Sequence, residues 1–251
     1  MEELWLIPLG IIAGTLGSLI GLGGGMIVVT ILSFAGFPPT LAASTSLFGG
    51  FGNALSSSIS YSRQNKIDFT LGLKMGLFTI PGTILGALLA DNVTPEIFKV
   101  LFAIMLVISS LYIFIKRKIE LRESHQSSQL ILIMIVASFA GGIISSFFGV
   151  GGGVLFVPIM VVMMGLTIKI AAPTSQFILL FAALSGIIIH SVLGNTDFYF
   201  GLFLAIGTFI GGFIGPKLSL EIRERKLKII VSVVLIAAAT KLIFDSFVPV
   251  I

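Results

Sequence analysis

The chain has no cysteine, one tryptophan and few charges: only 10% of its residues are Asp, Glu, Lys or Arg. Without cysteine there are no disulfides, thiolate metal sites or thiol nucleophiles, and no relay of a substrate through a cysteine sulfur. A soluble domain carries about 25% charged residues, so this chain cannot cover a water-facing surface of ordinary polarity. Enzyme signatures are missing too. There is no His-Glu-x-x-His, no Gly-x-Ser-x-Gly and no aspartate pair at membrane depth, so no catalytic residues, metal or cofactor are expected. No nucleotide-binding motif is present, so any drive from ATP would come from a partner. The N-terminus, Met1-Glu2-Glu3-Leu4, has no basic region and does not read as a cleaved signal peptide.

What is present is apolar. Hydrophobic residues make up 56% of the chain and mean hydropathy is +1.15. This is the composition of an all-α polytopic membrane protein whose partner is the lipid bilayer. The net charge of +4 does not point to nucleic acid, because the basic residues sit in loops between apolar runs. Those runs cover roughly 4–36, 40–62, 69–90, 95–115, 129–165, 170–194, 198–218 and 227–248. A spanning helix needs about 20 apolar residues. Six runs fit one helix each, and 4–36 and 129–165 have room for two half-helices.

Both long runs contain a cluster of glycines, Gly21-Leu-Gly-Gly-Gly25 and Gly149-Val-Gly-Gly-Gly153. Glycine costs a helix interior about 1 kcal/mol relative to alanine, so each cluster predicts a broken helix. Such a break at membrane depth is tolerated where it faces protein or a water-filled cavity. The clusters belong to a longer ordered series. Gly14 matches Gly142 at an offset of 128; Ala43, Thr45 and Ser46 match Ala172, Thr174 and Ser175 at 129. Asp68-Phe69, Gly72, Gly82, Gly86 and Lys99 recur as Asp197-Phe198, Gly201, Gly211, Gly215 and Lys228. The chain reads as an internal duplication: a first membrane repeat over 1–115, a polar linker over 116–128 and a second repeat over 129–251.

Charge decides between a parallel and an inverted duplication. If every run spans, Arg63, Lys66, Lys116, Arg117, Lys118 and Arg122 face Lys169, Lys217, Arg223, Arg225, Lys226 and Lys228 across the membrane, and no orientation results. If each glycine-broken run enters and returns on one side, these twelve share a face and Lys99 and Lys241 lie near the other. The expectation is therefore two inverted repeats, each a re-entrant helical hairpin plus three transmembrane helices. The linker would be cytoplasmic and both termini outside, in the inner (cytoplasmic) membrane.

The breaks are also the candidate site. Unpaired N–H groups and the dipole of the following half-helix favour an anion, and glycine lets a ligand approach the backbone. Gly23, Gly24, Gly25, Gly151, Gly152 and Gly153 would form this cradle, with tight helix packing as the competing reading. Packing is the preferred reading for Gly82/Gly86 and Gly211/Gly215. Thr45, Ser46, Thr174, Ser175 and Gln176 open the segments after each hairpin and offer neutral donors, with capping or back-bonding as the alternative. Pro173 suits a first helical turn there. Asn53 is a lone polar group at mid-helix and His190 a candidate for proton coupling, or an interfacial residue. Asp68 and Asp197 read as N-caps.

The ordered duplicate of glycine stretch, apolar run and Ala-x-x-Thr-Ser-like segment resembles the sulfite exporter TauE/SafE family, also called the toluene sulfonate uptake permease family. The matching residues are Gly21–Gly25 with Ala42–Ser46, and Gly149–Gly153 with Val157-Pro158 and Ala171–Ser175; Thr30 stands where the second copy has Pro158. The resemblance implies a bacterial or archaeal carrier of small sulfur-containing anions such as sulfite or organosulfonates. The expected function is secondary transport of such an anion, with export as the direction. An anion channel on the same hairpins, an intramembrane enzyme and a membrane scaffold are the competing readings, and a homo-oligomer is left open.

Overall fold

A computed structural model describes residues 2–115, 128–162, 164–219, 236, 239 and 240. Among them there is no strand. Leu6–Ile20 (α1), Gly25–Phe34 (α2), Pro39–Ser62 (α3), Phe69–Asp91 (α4) and Pro95–Ile115 (α5) follow a short 3-10 turn. Ser128–Phe148 (α6), Gly153–Val162 (α7), Ile168–Val192 (α8) and Phe198–Leu218 (α9) then repeat the order of α1 to α4. The linker charges Lys116 to Arg122, the basic run Arg223 to Lys228, Lys241 and, apart from residues 236, 239 and 240, the apolar segment 227–248 lie outside the described residues. The helices over Phe69–Asp91, Ile131–Phe148, Ile168–Val192 and Phe198–Leu218 are long and apolar enough to cross a membrane. Both long apolar runs are split, as their glycines predict. At 10 residues each, α2 and α7 are about 15 Å long, half the thickness of a hydrocarbon core.

Several caps follow from the sequence. The Asp68 carboxylate accepts from the Leu71 N–H at 2.9 Å, and that of Asp197 from Tyr199 and Phe200 at 2.9 and 3.2 Å. Pro39 opens α3, where its missing N–H costs nothing. The expected first-turn proline of the second copy is a correction. α8 begins at Ile168, so Pro173 lies inside the helix. By the same count Ser46 and Ser175 are interior residues, not caps.

Small residues set how the helices approach. A Cβ on Gly211 would collide with the Ile11 carbonyl and one on Gly207 with that of Ile7, so α1 lies against α9 backbone to backbone. The same holds for Gly82 with Phe139 and Gly86 with Ile143, where α4 meets α6. In both pairs the residue numbers rise together, so each pair is parallel. The packing reading of Gly82, Gly86 and Gly211 is what the structure contains; at Gly215 a Cβ would meet Ser18 and lie 2.6 Å from the Thr15 carbonyl.

Contacts at the helix ends define two faces. On one, the Asp68 N–H donates to Thr174 Oγ1 at 3.0 Å and Gln64 Nε2 to the Pro216 carbonyl at 3.5 Å. Lys66 there is held below the usual lysine range, first by burial and then by the charge of Lys169. On the other face, Ser44 Oγ donates to the Asn195 carbonyl at 2.6 Å and Asn195 Nδ2 to Asp91 Oδ1 at 2.7 Å. α3 therefore starts where α8 ends, and α8 starts where α3 ends. Single cysteines placed at Arg63 and Lys169 should be modified by an impermeant maleimide from one side of the membrane, and one at Asn92 from the other. Modification of all three from the same side would contradict the two faces.

Candidate functional site at the paired helix breaks

The two breaks are built by backbone conformations that favour glycine. Gly21, Gly23 and Gly24 have φ of +85°, +79° and +75°, and Gly149 and Gly151 both have +69°. A side chain in this left-handed region costs about 1–2 kcal/mol per residue. Each break ends in a helix N-terminus, at Gly25 and Gly153, where the first N–H groups have no intrahelical partner.

The breaks meet each other. Ser46 Oγ donates to the Gly149 carbonyl at 2.7 Å, and Ser175 Oγ donates to the Gly21 carbonyl at 2.7 Å. Each serine thus satisfies the first carbonyl of the break in the opposite half. Each also has a second acceptor, Gly25 O at 3.2 Å for Ser46 and Ala172 O at 2.8 Å for Ser175. A Cβ on Gly25 would lie 2.5 Å from the Gly149 carbonyl, and one on Gly153 would collide with that of Gly21. The glycines are therefore needed for packing as well as for dihedral freedom. The buried Leu179 side chain stands between the breaks: a Cβ on Gly151 would lie 2.7 Å from Leu179 Cδ1, and one on Gly23 would collide with Cδ2. Sequence reasoning missed Leu179, because an apolar residue in an apolar helix carries no signal of its own.

Polar side chains gather on one side of this centre. Gln176 Oε1 accepts from Asn53 Nδ2 at 3.2 Å and from Ser57 Oγ at 3.3 Å, and Gln176 Nε2 donates to the Gly17 carbonyl at 3.4 Å. Asn53 Oδ1 has no partner among the described residues. At the offset of 129, Gln176, Asn53 and Ser57 correspond to Leu47, Ala182 and Gly186. Leu47 and Ala182 belong to the same apolar cluster as Leu179. The centre is thus polar on one side and apolar on the other. Ser57 was missed because its position carries glycine in the second copy.

The remaining candidates are dispersed. Thr174 Oγ1 accepts the Asp68 N–H on the basic face, while Thr45 Oγ1 is buried without a partner among the described residues. His190 Nε2 lies 3.0 Å from the Ser146 carbonyl. In the first half Tyr61 donates to the Ser18 carbonyl at 2.9 Å in the equivalent place. His190 is therefore a tie between helices near the face opposite the basic one, away from the breaks. No Lys, Arg, Asp or Glu is buried among the described residues. Charge stabilisation at the centre would rest on dipoles and neutral hydrogen bonds.

Broken helices that meet at the centre of a polytopic helical protein recur in membrane transporters. The chain belongs to the sulfite exporter TauE/SafE family, whose model matches residues 6–242, and this is a family of membrane transporters. It is 31% identical to the probable membrane transporter protein YunE of Bacillus subtilis (strain 168), over 98% of each chain. It is 28% identical to the probable membrane transporter protein MJ0441 of Methanocaldococcus jannaschii, over 93% of this chain and 94% of that one. The probable membrane transporter protein YfcA of Escherichia coli (strain K12) is 23% identical over 94% of this chain and 87% of its own. No solved structure matches.

Removing either crossing hydroxyl leaves a buried carbonyl short of a donor, at a cost of about 1–3 kcal/mol. Ser46→Ala and Ser175→Ala should each lower the thermal unfolding midpoint of the detergent-solubilised protein. A midpoint unchanged in both would contradict the bridging role.

Proposed function

We propose that the protein is a secondary transporter of a small sulfur oxyanion or organosulfonate across the cytoplasmic membrane, with export as its direction. One observation carries this reading: the two glycine breaks lie against each other at the centre, each ending in a helix N-terminus. Two positive dipole ends, with no fixed charge buried among the described residues, suit a small anion that must also be released. The antiparallel relation of α3 and α8, and the opposite entry faces of α1 and α6, support inverted repeats over 1–115 and 129–251 joined by a cytoplasmic linker over 116–128. α1 and α3 both start from the face that lacks Arg63, Lys66 and Lys169. This supports a hairpin that enters and returns there, with the termini outside.

In this reading the anion meets the backbone of Gly23 to Gly25 and Gly151 to Gly153, with Ser46, Asn53, Ser175 and Gln176 around it and Thr45 and Thr174 on the way to the two faces. Ser46 and Ser175 already hold opposing carbonyls, so they are hinge contacts that exchange partners as the halves rock. Thr174 is held on the basic face by the backbone of Asp68, and Thr45 is its free counterpart toward the other face. Leu179 seals the space between the breaks. His190, bound to a carbonyl outside the centre, is the candidate for coupling a proton. The competing channel reading finds no support in this filled centre.

The test is flux of radiolabelled sulfite into proteoliposomes, with organosulfonates, sulfate and phosphate as competitors. Saturable flux blocked by sulfonates is expected. Gln176→Leu and Asn53→Ala, which install the residues the other half carries, should lower it at least tenfold with folding intact. Gly24→Leu is a poorer probe, because Gly24 has φ of +75° and its Cβ would collide with the Ala13 carbonyl. Wild-type flux that does not saturate, or none under either a pH gradient or a potential, would contradict the proposal.

A further inference from the structure

The two breaks share a sequence pattern, yet their backbones are spent differently. In the first, the Gly17 carbonyl gathers the N–H groups of Gly21, Leu22 and Gly23 at 3.0, 3.0 and 3.3 Å, and Gln176 Nε2 as well. In the second, the N–H groups of Val150 and Gly151, which correspond to Leu22 and Gly23, have no acceptor among the described residues. Gly24 has φ of +75°, whereas its counterpart Gly152 is not left-handed.

The difference traces to one residue. Position 17 is glycine, and the corresponding position in the second copy is Ser145. A Cβ on Gly17 would collide with the Gly24 nitrogen and lie 2.6 Å from the Gly23 carbonyl carbon. The first break can fold back on α1 only because residue 17 has no side chain. With serine at 145 the second break cannot close in this way. The surrounding packing is otherwise kept: Gly24 lies against the Ala13 carbonyl, and a Cβ on Gly152 would lie 2.9 Å from that of Gly141, at the same offset. Ser145 lies one helical turn after Gly141, on the same face of α6, and that face is turned toward Gly152 and Phe156. The Ser145 hydroxyl is fully buried and has no partner among the described residues.

We propose that the anion is bound asymmetrically, chiefly at the second break, by the N–H groups of Val150 and Gly151, the N-terminus of α7 and the hydroxyl of Ser145, while the first break contributes the N-terminus of α2 alone. This rests on the transport reading above and assigns its ligand one end of the centre. Gly149 and Gly151 are left-handed on either side of Val150, as Gly21 and Gly23 are about Leu22, but only in the second break are the enclosed N–H groups left without an acceptor among the described residues. The buried, unpartnered hydroxyl at the same place is an independent sign that a polar ligand belongs there, since native structures rarely leave such a group unsatisfied. All these donors are neutral, so the class is a small oxyanion of low charge, hydrogensulfite or an alkanesulfonate. Leu179 covers Gly151 and must move aside for entry.

The experiment is the affinity of the purified full chain for hydrogensulfite and methanesulfonate, measured by isothermal titration alongside proteoliposome flux. Ser145→Ala removes the donor, and Ser145→Gly also lets the break close on itself as the first does. Both variants should fold and bind at least tenfold more weakly, the range expected for a hydrogen bond to a charged group, with glycine the weaker of the two. Ser138→Ala, whose hydroxyl only back-bonds to the Met134 carbonyl at 2.7 Å, should bind like wild type. Wild-type affinity in both Ser145 variants would overturn the asymmetric site while leaving the transport reading standing. A wild-type protein that binds and moves neither anion would overturn both.

Discussion

Everything in this structure depends on satisfying the backbone where two helices break inside the bundle. A buried carbonyl or N–H without a partner costs several kcal/mol in hydrocarbon. One half cannot meet that need alone. Ser46 of α3 reaches the Gly149 carbonyl and Ser175 of α8 reaches that of Gly21, so each half completes the break of the other. The close approach needed for this exchange excludes side chains at Gly25 and Gly153. The long glycine contacts of α1 with α9, and of α4 with α6, hold the breaks at the distance the serines require. Folding and site are one construction, which is why a substitution within the breaks is a poor reporter of transport.

Much of this was legible in the sequence. The glycine clusters located both breaks, because three consecutive glycines each cost a helix interior about 1 kcal/mol. The boundaries of α3, α4, α5, α8 and α9 followed from apolar length and from caps such as Asp68 and Asp197. The family also followed from the ordered series of matches. The roles of the hydroxyl residues did not. Ser46 and Ser175 read equally as donors to a ligand and as caps, but the helices begin earlier, at Pro39 and Ile168, and that places the serines at the crossing. Leu179 and Ser57 were invisible for different reasons: one is an ordinary apolar residue, and the other is not shared between the halves.

The departures from internal symmetry carry as much information as the matches. Where the halves agree, they build the crossing. Where they differ, at Gly17 and Ser145, at Gln176 and Leu47, at Asn53 and Ala182, and at Tyr61 and His190, a satisfied or apolar group on one side faces a polar one on the other. A symmetric scaffold with an asymmetric lining suits the proposed transporter, whose ligand has no such symmetry.

The central claim is that the paired breaks form a carrier site exposed to one side at a time. Counterflow tests it most directly. Proteoliposomes loaded with unlabelled sulfite and diluted into trace labelled sulfite should accumulate label transiently above equilibrium, because one site must return occupied or empty. Label that rises to equilibrium without an overshoot, at a rate indifferent to sulfite inside, would contradict the account.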